Sequence, residues 1–296
     1  MKRVIPKLLI GMLCGALAGG MLSLYDAWRE ASNNGGQKAA EPFRIADNLY
    51  YVGANDTTSF LLTAPEGHIL IDGGYPGTPS LILASIEKLG FDINDVKLIL
   101  NTHPHLDHAG GLAELQKVSG AELWVSDNDA EIMEAGGAGS RFLGPLEFVS
   151  YLPVFRFPPP RVDERFSDRE SVNVGSTELI ANVTAGHTPG CTSWSFKVRD
   201  GERVLDVVLI CGLTPPLSLS MGEYPEIRKD FEKSFKRLRS LKADIFLTPH
   251  ARDFGRWPKY QNSLEAENPV DAFIDPEGYR KYIDEHEKRY RDAIGN

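Results

Sequence analysis

The segment Asn101-Thr102-His103-Pro104-His105-Leu106-Asp107-His108 constrains this chain more than any other. It gathers three imidazoles and a carboxylate within six residues. Desolvating such groups is costly unless each finds a partner, so packing alone gives no reason to crowd them. Neutral imidazole and carboxylate are good ligands for zinc and related divalent metals. The nearly continuous apolar run Val96 to Leu100, interrupted by Lys97, stands directly before the segment, as expected of a strand buried on both faces. The chain therefore has to build a sheet whose buried strand delivers metal-type ligands at its C-terminal end.

His103 and His105 are two residues apart, and in extended backbone such side chains point the same way. Both can reach one ion. Asp107 and His108 are adjacent, and placing all four groups on one ion would strain the loop. Two ions, each completed from elsewhere, fit better. Two further contexts, Gly186-His187-Thr188-Pro189-Gly190 and Leu247-Thr248-Pro249-His250, offer a histidine in a loop after a strand. Five of the seven histidines are then accounted for. Three ligands per ion argues for chemistry, because a structural zinc is closed by four protein ligands. From the residues alone, His187 and His250 as ordinary loop histidines remains the alternative. His68, inside a strand, and His286, on a terminal helix, read as structural. Two ions about 3.5–4 Å apart would hold a water whose pKa falls to about 7. No Ser-His-Asp arrangement, reactive cysteine or glycine-rich phosphate loop competes with this reading.

The remaining sequence bounds the setting. The 296 residues suffice for one large domain with a substantial core. A net charge of −9 argues against nucleic acid or an anionic membrane surface as partner. Lys2, Arg3 and Lys7 precede an uncharged run from Leu8 to Tyr25, the pattern of an export signal, with Ala16-Leu17-Ala18 as a cleavage site. Residues 1–25 are read as a signal peptide, with a retained N-terminal anchor as the alternative. An exported, periplasmic or secreted protein follows, touching a membrane only if the segment is kept. Residues 26–41 read as a linker and 42–296 as the catalytic domain with a C-terminal helical extension. Cys191 and Cys211 flank a hairpin centred on Asp200-Gly201. Two buried free thiols is the preferred reading there, and a bridge the alternative.

Strands are expected at 50–52, 59–63, 68–72, 96–100, 122–125, 172–174, 178–184, 192–198, 204–210 and 244–247. Helices are expected at 79–89, 112–118, 127–134, 226–241 and 279–293. Gly136 to Arg169, with five prolines and no clear periodicity, reads as a functional loop or lid, or else a solvated insertion.

At these residues the chain resembles the metallo-β-lactamase superfamily, whose H-x-H-x-D-H pattern is complete here. PEGHILIDGG, HAGGLAEL and GHTPGCTSW are similar to subclass B3. The resemblance implies an α/β fold, the αββα four-layer sandwich. It implies two Zn2+ ions, with other divalent metals as alternatives. His103, His105 and His187 would hold the first; Asp107, His108 and His250 the second. It implies that Asp72 supports the metal loop and that Asp107 orients the attacking hydroxide or its proton. The implied reaction opens a β-lactam amide, and the implied partner is that small-molecule substrate. One departure stands out. Gly212 occupies a place where subclass B3 often has a serine, and Thr214 is the hydroxyl left to contact the substrate. Cys211, one residue from the place where other subclasses put a cysteine ligand, is read as a non-ligand.

The alternative function is a related hydrolase acting on thioesters, of the glyoxalase II kind, or on lactones. Those relatives carry a bridging aspartate at the Gly212 position, which this chain lacks. Di-iron redox chemistry and non-catalytic zinc binding fit the residues less well. The sequence leaves the oligomeric state open.

Overall fold

The computed structural model describes residues 36–216, 219 and 226–295. The expected export segment, and the linker up to residue 35, lie outside the described residues. Two sheets stack with helices on their outer faces. The first sheet runs β1 (Phe43–Ala46), β2 (Leu49–Tyr51), β3 (Phe60–Leu62), β4 (His68–Ile71), β5 (Val96–Leu100), β6 (Glu122–Ser126) and β7 (Glu164–Phe166), in that spatial order. β4 to β7 are parallel. The second sheet contains β8 (Ser171–Val174), β9 (Thr177–Val183), β10 (Thr192–Asp200), β11 (Arg203–Leu209) and β12 (Ile245–Leu247), ordered β12-β11-β10-β9-β8.

Strand alternation explains the layering. Phe60, Leu62, Ile69, Ile71, Leu98 and Leu100 face Trp194, Phe196, Val207 and Leu209 of the second sheet in one core. Leu61, Leu70, Ile99 and Leu123 face the other way, onto Ile82, Ile86, Leu112 and Leu115 of the helices α1 (Pro79–Lys88) and α3 (Leu112–Ser119). Successive side chains leave a strand on opposite faces, so strands apolar at every position need cover on both sides. α2 is the single turn Leu106–Ala109 and α4 is Ala130–Glu134. On the far side, α5 (Ile227–Ser240) buries Ile227, Phe231, Phe235 and Leu238 against the second sheet. α7 (Pro276–Ala293) joins it there, with the Phe231 and Tyr290 rings 5.1 Å apart. No described helix is long and apolar enough to cross a membrane.

Several expectations need correction. β1 is a strand that the sequence reading did not include. Residues 136–169 are not structureless: 3-10 turns at Arg141–Tyr151 and Pro153–Phe155 lead into β7. The segment after Arg252 forms α6 (Arg256–Glu265) and a 3-10 turn at Pro269–Phe273. α7 starts at Pro276, earlier than expected, because the Asp275 carboxylate accepts from Gly278 N at 2.8 Å and caps it. The end of the supposed linker docks: Thr57 Oγ1 donates to Gly36 O at 2.7 Å and Asn55 N to Lys38 O at 2.8 Å. Cys191 and Cys211 are joined in a disulfide, which overturns the free-thiol reading. The β10–β11 register pairs Trp194 with Leu209, which carries the flanking cysteines to a Cα separation of 5.8 Å.

Candidate metal centre

The parallel strands β4, β5 and β6 end at one rim, and the loops after them carry Asp72, residues 101–108 and Asp129. Opposite lie the β9–β10 loop with His187, the chain after β11 with Gly212 and Thr214, and the chain after β12 with His250. Loops at strand ends can bring such groups together because the sheets beneath them are rigid.

Asp72 builds the first loop. Its carboxylate accepts from Asn101 Nδ2 at 2.7 Å and from Thr102 N and Oγ1, both at 2.8 Å. Asp72 adopts φ 63°, a rare region for a side-chain-bearing residue, consistent with a position held by its surroundings. Burial pushes the Asp72 carboxyl up to about 6, against the pull of His108 and these donors. His105 N then donates to His103 O at 3.0 Å, and α2 begins at Leu106, which separates Asp107 and His108 from the first two histidines.

Two other carboxylates do the same for the distant loops, and neither was read from the sequence. Buried Asp129 accepts from Thr188 Oγ1 at 2.6 Å and from Gly190 N at 2.9 Å, which fixes the loop of His187. Asp56 lies between β2 and β3, and its Oδ2 is 3.2 Å from His250 Nδ1. Thr58 N also donates to Pro249 O at 3.0 Å. Asp129 falls in the first turn of the helix expected at 127–134, and Asn55-Asp56 between two expected strands, and neither place marks a role at a distant loop. Only their placement against loops far along the chain reveals their part.

The six expected ligands converge as two triads. Donor atoms of His103, His105 and His187 lie within 4.8 Å of one another, and so do those of Asp107, His108 and His250. The triads share a wall, with the His103 and His108 rings 4.5 Å apart. Burial, reinforced by the neighbouring imidazoles, holds His103 well below the ordinary histidine range. The same causes bring His105 to about 3. His187 falls to about 4, also mainly by burial. All three are neutral donors at pH 7. Burial alone would raise Asp107, but His108 and then His250 and His105 outweigh it and hold the carboxylate ionised. His187 Nδ1 lies 2.8 Å from Thr214 O and donates there, which leaves Nε2 as the lone-pair donor, 3.1 Å from His105 Nδ1. Neutral imidazole nitrogens aimed at each other beside an ionised carboxylate are poorly satisfied alone and well satisfied around divalent cations. The donor set fits a metal.

A third cluster, His103 with Cys191 and Cys211, also falls within 4.8 Å. The disulfide occupies both sulfurs, so Cys211 packs at 3.7 Å from His103 Nδ1 as a covalent prop beneath the site. His68 and His286 stand apart. His68 is buried against Phe91, and His286 Nδ1 is 2.9 Å from Tyr282 O.

The profile of the Metallo-beta-lactamase superfamily matches residues 52–250, which spans all six ligands. The chain belongs to that superfamily. Its structure is similar to native FEZ-1 metallo-beta-lactamase from Legionella gormanii, with 35% identity, a TM-score of 0.81 and coverage of 87% of this chain and 97% of that one. It is similar also to BJP-1, a subclass B3 metallo-beta-lactamase of Bradyrhizobium japonicum, at 30% identity, TM-score 0.78, and coverage of 89% and 97%. By sequence it matches a hydroxyacylglutathione hydrolase of Anaeromyxobacter dehalogenans at 27% identity over 50% of this chain and 46% of the relative. The chain thus spans about half the length of the curated relatives it matches first.

Beside the triads this superfamily member has a cavity of about 260 Å³, lined by Tyr75, Leu106, Phe142 and Phe155 together with His105 and Asp107. Phe142, from the 136–169 segment, sets its ring 5.0 Å from His105 and 5.1 Å from His187. Ser140 Oγ is 3.4 Å from His105 Nε2. That segment therefore lids the metal centre, as one of the two readings held. A larger cleft of about 760 Å³ lies elsewhere, bordered by Lys197, Asp206 and Lys242. Lys197 and Lys242 both pair with Asp206 there, and the cleft holds no histidine, so the smaller cavity is the candidate substrate site.

Proposed function

We propose that this protein is an exported, dizinc β-lactamase of the B3 type. The observation that carries the reading is the division of the six ligands into an all-histidine triad and an Asp-His-His triad. Structurally similar subclass B3 metallo-beta-lactamases, alike over most of the chain, support it. A disulfide suits an oxidising compartment outside the cytoplasm and supports export.

The residues take these roles. His103, His105 and His187 would hold one ion; Asp107, His108 and His250 would hold the other. The ions would supply Lewis acidity and an activated water. Asp107, ionised and with Oδ2 3.2 Å from His108 Nε2, would orient such a water and is the carboxylate available to take its proton. The apolar wall of Tyr75, Phe142 and Phe155 receives a hydrocarbon substituent of the substrate and keeps bulk water from the reacting bond. The exposed Thr214 hydroxyl is the group available to a substrate carboxylate.

Purified protein reconstituted with zinc should hydrolyse a chromogenic cephalosporin well above the His105→Ala variant. Equal rates would sink the assignment. The second reading, thioester or lactone hydrolysis, draws on the hydroxyacylglutathione hydrolases among the relatives. A parallel assay with lactoylglutathione and a homoserine lactone decides between them. Gly212, where such enzymes carry a bridging aspartate, favours the lactam.

A further inference from the structure

We infer that Asp56 is a positioning residue for the second metal triad, acting through His250, and that Arg252 is its counterweight. The inference rests on the two-ion reading above.

His250 stands on a short loop after β12 and is the ligand of its triad most distant in sequence from the others. Its Nδ1 is 3.2 Å from Asp56 Oδ2, so Nδ1 carries the hydrogen and Nε2 is the lone-pair donor. Nε2 lies 3.5 Å from Asp107 Oδ2, inside the triad. A carboxylate accepting the far N–H of a ligating histidine fixes its tautomer and ring plane and makes the donor nitrogen more basic.

Asp56 is itself rigidly placed. Ala54 N donates to Thr57 O at 3.0 Å and closes the turn; Tyr51 Oη donates to Ala54 O. Trp257 Nε1 donates to Asn55 Oδ1 at 3.2 Å, and Ala251 N to Asp56 O at 2.6 Å. The turn is thus fastened on both sides, and the carboxylate meets His250 already oriented.

The same oxygen, Oδ2, also pairs with the Arg252 guanidinium, whose backbone N–H reaches Oδ1 at 3.4 Å. The Arg252 side chain is 64% exposed, so it draws charge from Asp56 without burying its own. An oxygen that accepts from both imidazole and guanidinium is a weaker acceptor for either. Arg252 therefore moderates the influence of Asp56 on His250, and removing it should strengthen that influence.

The test titrates metal-free full-length protein with Co(II) and with Zn(II) against a chromogenic chelator, following the Co(II) visible bands. The wild type should take up two ions. Asp56→Asn, which keeps shape and loses charge, should bind the second ion about 10–100-fold more weakly and the first within twofold. Arg252→Ala should hold the second ion as tightly as wild type or more so. His187→Ala, which damages the other triad, assigns the weakened site. Equal affinities in wild type and Asp56→Asn, or equal weakening of both ions, would overturn the inference. So would parallel losses in Asp56→Asn and Arg252→Ala, since a mere bolt between loops would lose strength from either end. The metal readout is independent of turnover: two ions without β-lactam hydrolysis would defeat the proposed substrate and leave the role of Asp56 standing.

Discussion

A Cβ built on Gly212 would lie 2.7 Å from His187 Cδ2 and 3.0 Å from Nε2. The glycine is thus where the backbone presses against the imidazole face, at the place where the subclass B3 resemblance leads one to expect a serine. Gly212→Ser should displace His187. Such overpacking costs about 1–3 kcal/mol. The expected result is roughly ten- to a hundred-fold weaker binding of the ion at the all-histidine triad, read by chelator competition. Unchanged affinity would show that His187 has room to give way.

Asp72 accepts three hydrogen bonds from the loop it supports. Asp72→Ala leaves these donors without an acceptor, at about 1–3 kcal/mol for each that stays buried. Urea unfolding of the metal-free protein should show a loss of at least ~2 kcal/mol. A variant as stable as wild type would mean that the metal, and not Asp72, orders the loop.

Burial pushes the Asp129 carboxyl up to about 7, only partly offset by its bonds to Thr188 and Gly190. An aspartate in the unfolded chain titrates near 4. The folded state therefore holds the proton more tightly, and this group's contribution is full below pH ~4 and lost as pH rises through about 7. The stability difference between wild type and Asp129→Asn should shift steadily against wild type over that window. Melting temperatures of both metal-free proteins at pH 4 to 8 check it; a constant difference would defeat the prediction.

The disulfide closes a sequence separation of 20 residues. A loop of that size is worth about 3 kcal/mol by chain entropy. Cys191→Ser/Cys211→Ser should lose about that much in denaturant. Because Cys211 Sγ sits 3.7 Å from His103 Nδ1, metal affinity should also fall in the double variant. Retained metal affinity with lost stability would confine the bridge to a structural part.

Phe142 closes the cavity over His105 and His187. Under the β-lactamase reading, Phe142→Ala should raise KM several-fold for substrates with bulky apolar substituents, by about 1–2 kcal/mol of lost burial, and change kcat less. Steady-state kinetics with paired large and small substrates would reveal it. The same KM shift for both would move the hydrocarbon group elsewhere.

What the sequence determined by itself was the chemistry and the frame that carries it. Donors crowded as His103, His105, Asp107 and His108 have few uses other than a metal. The apolar run before them, alternating onto two cores, specified a doubly covered sheet. The partition into two triads followed from spacing together with the family resemblance, and the structure gathers the residues accordingly. Local pattern could not reach what depends on distance along the chain. Asp56 and Asp129 look like ordinary loop and helix residues until folding sets them beside His250 and the His187 loop. Gly212 looked like a missing hydroxyl until its contact with His187 was visible. The pairing of Cys191 with Cys211 needed the hairpin register, and the lid needed Phe142 against the histidines. Each is a contact between segments that periodicity and motif treat separately, and the tertiary structure decides it because only the packed sheets bring those loops to one rim.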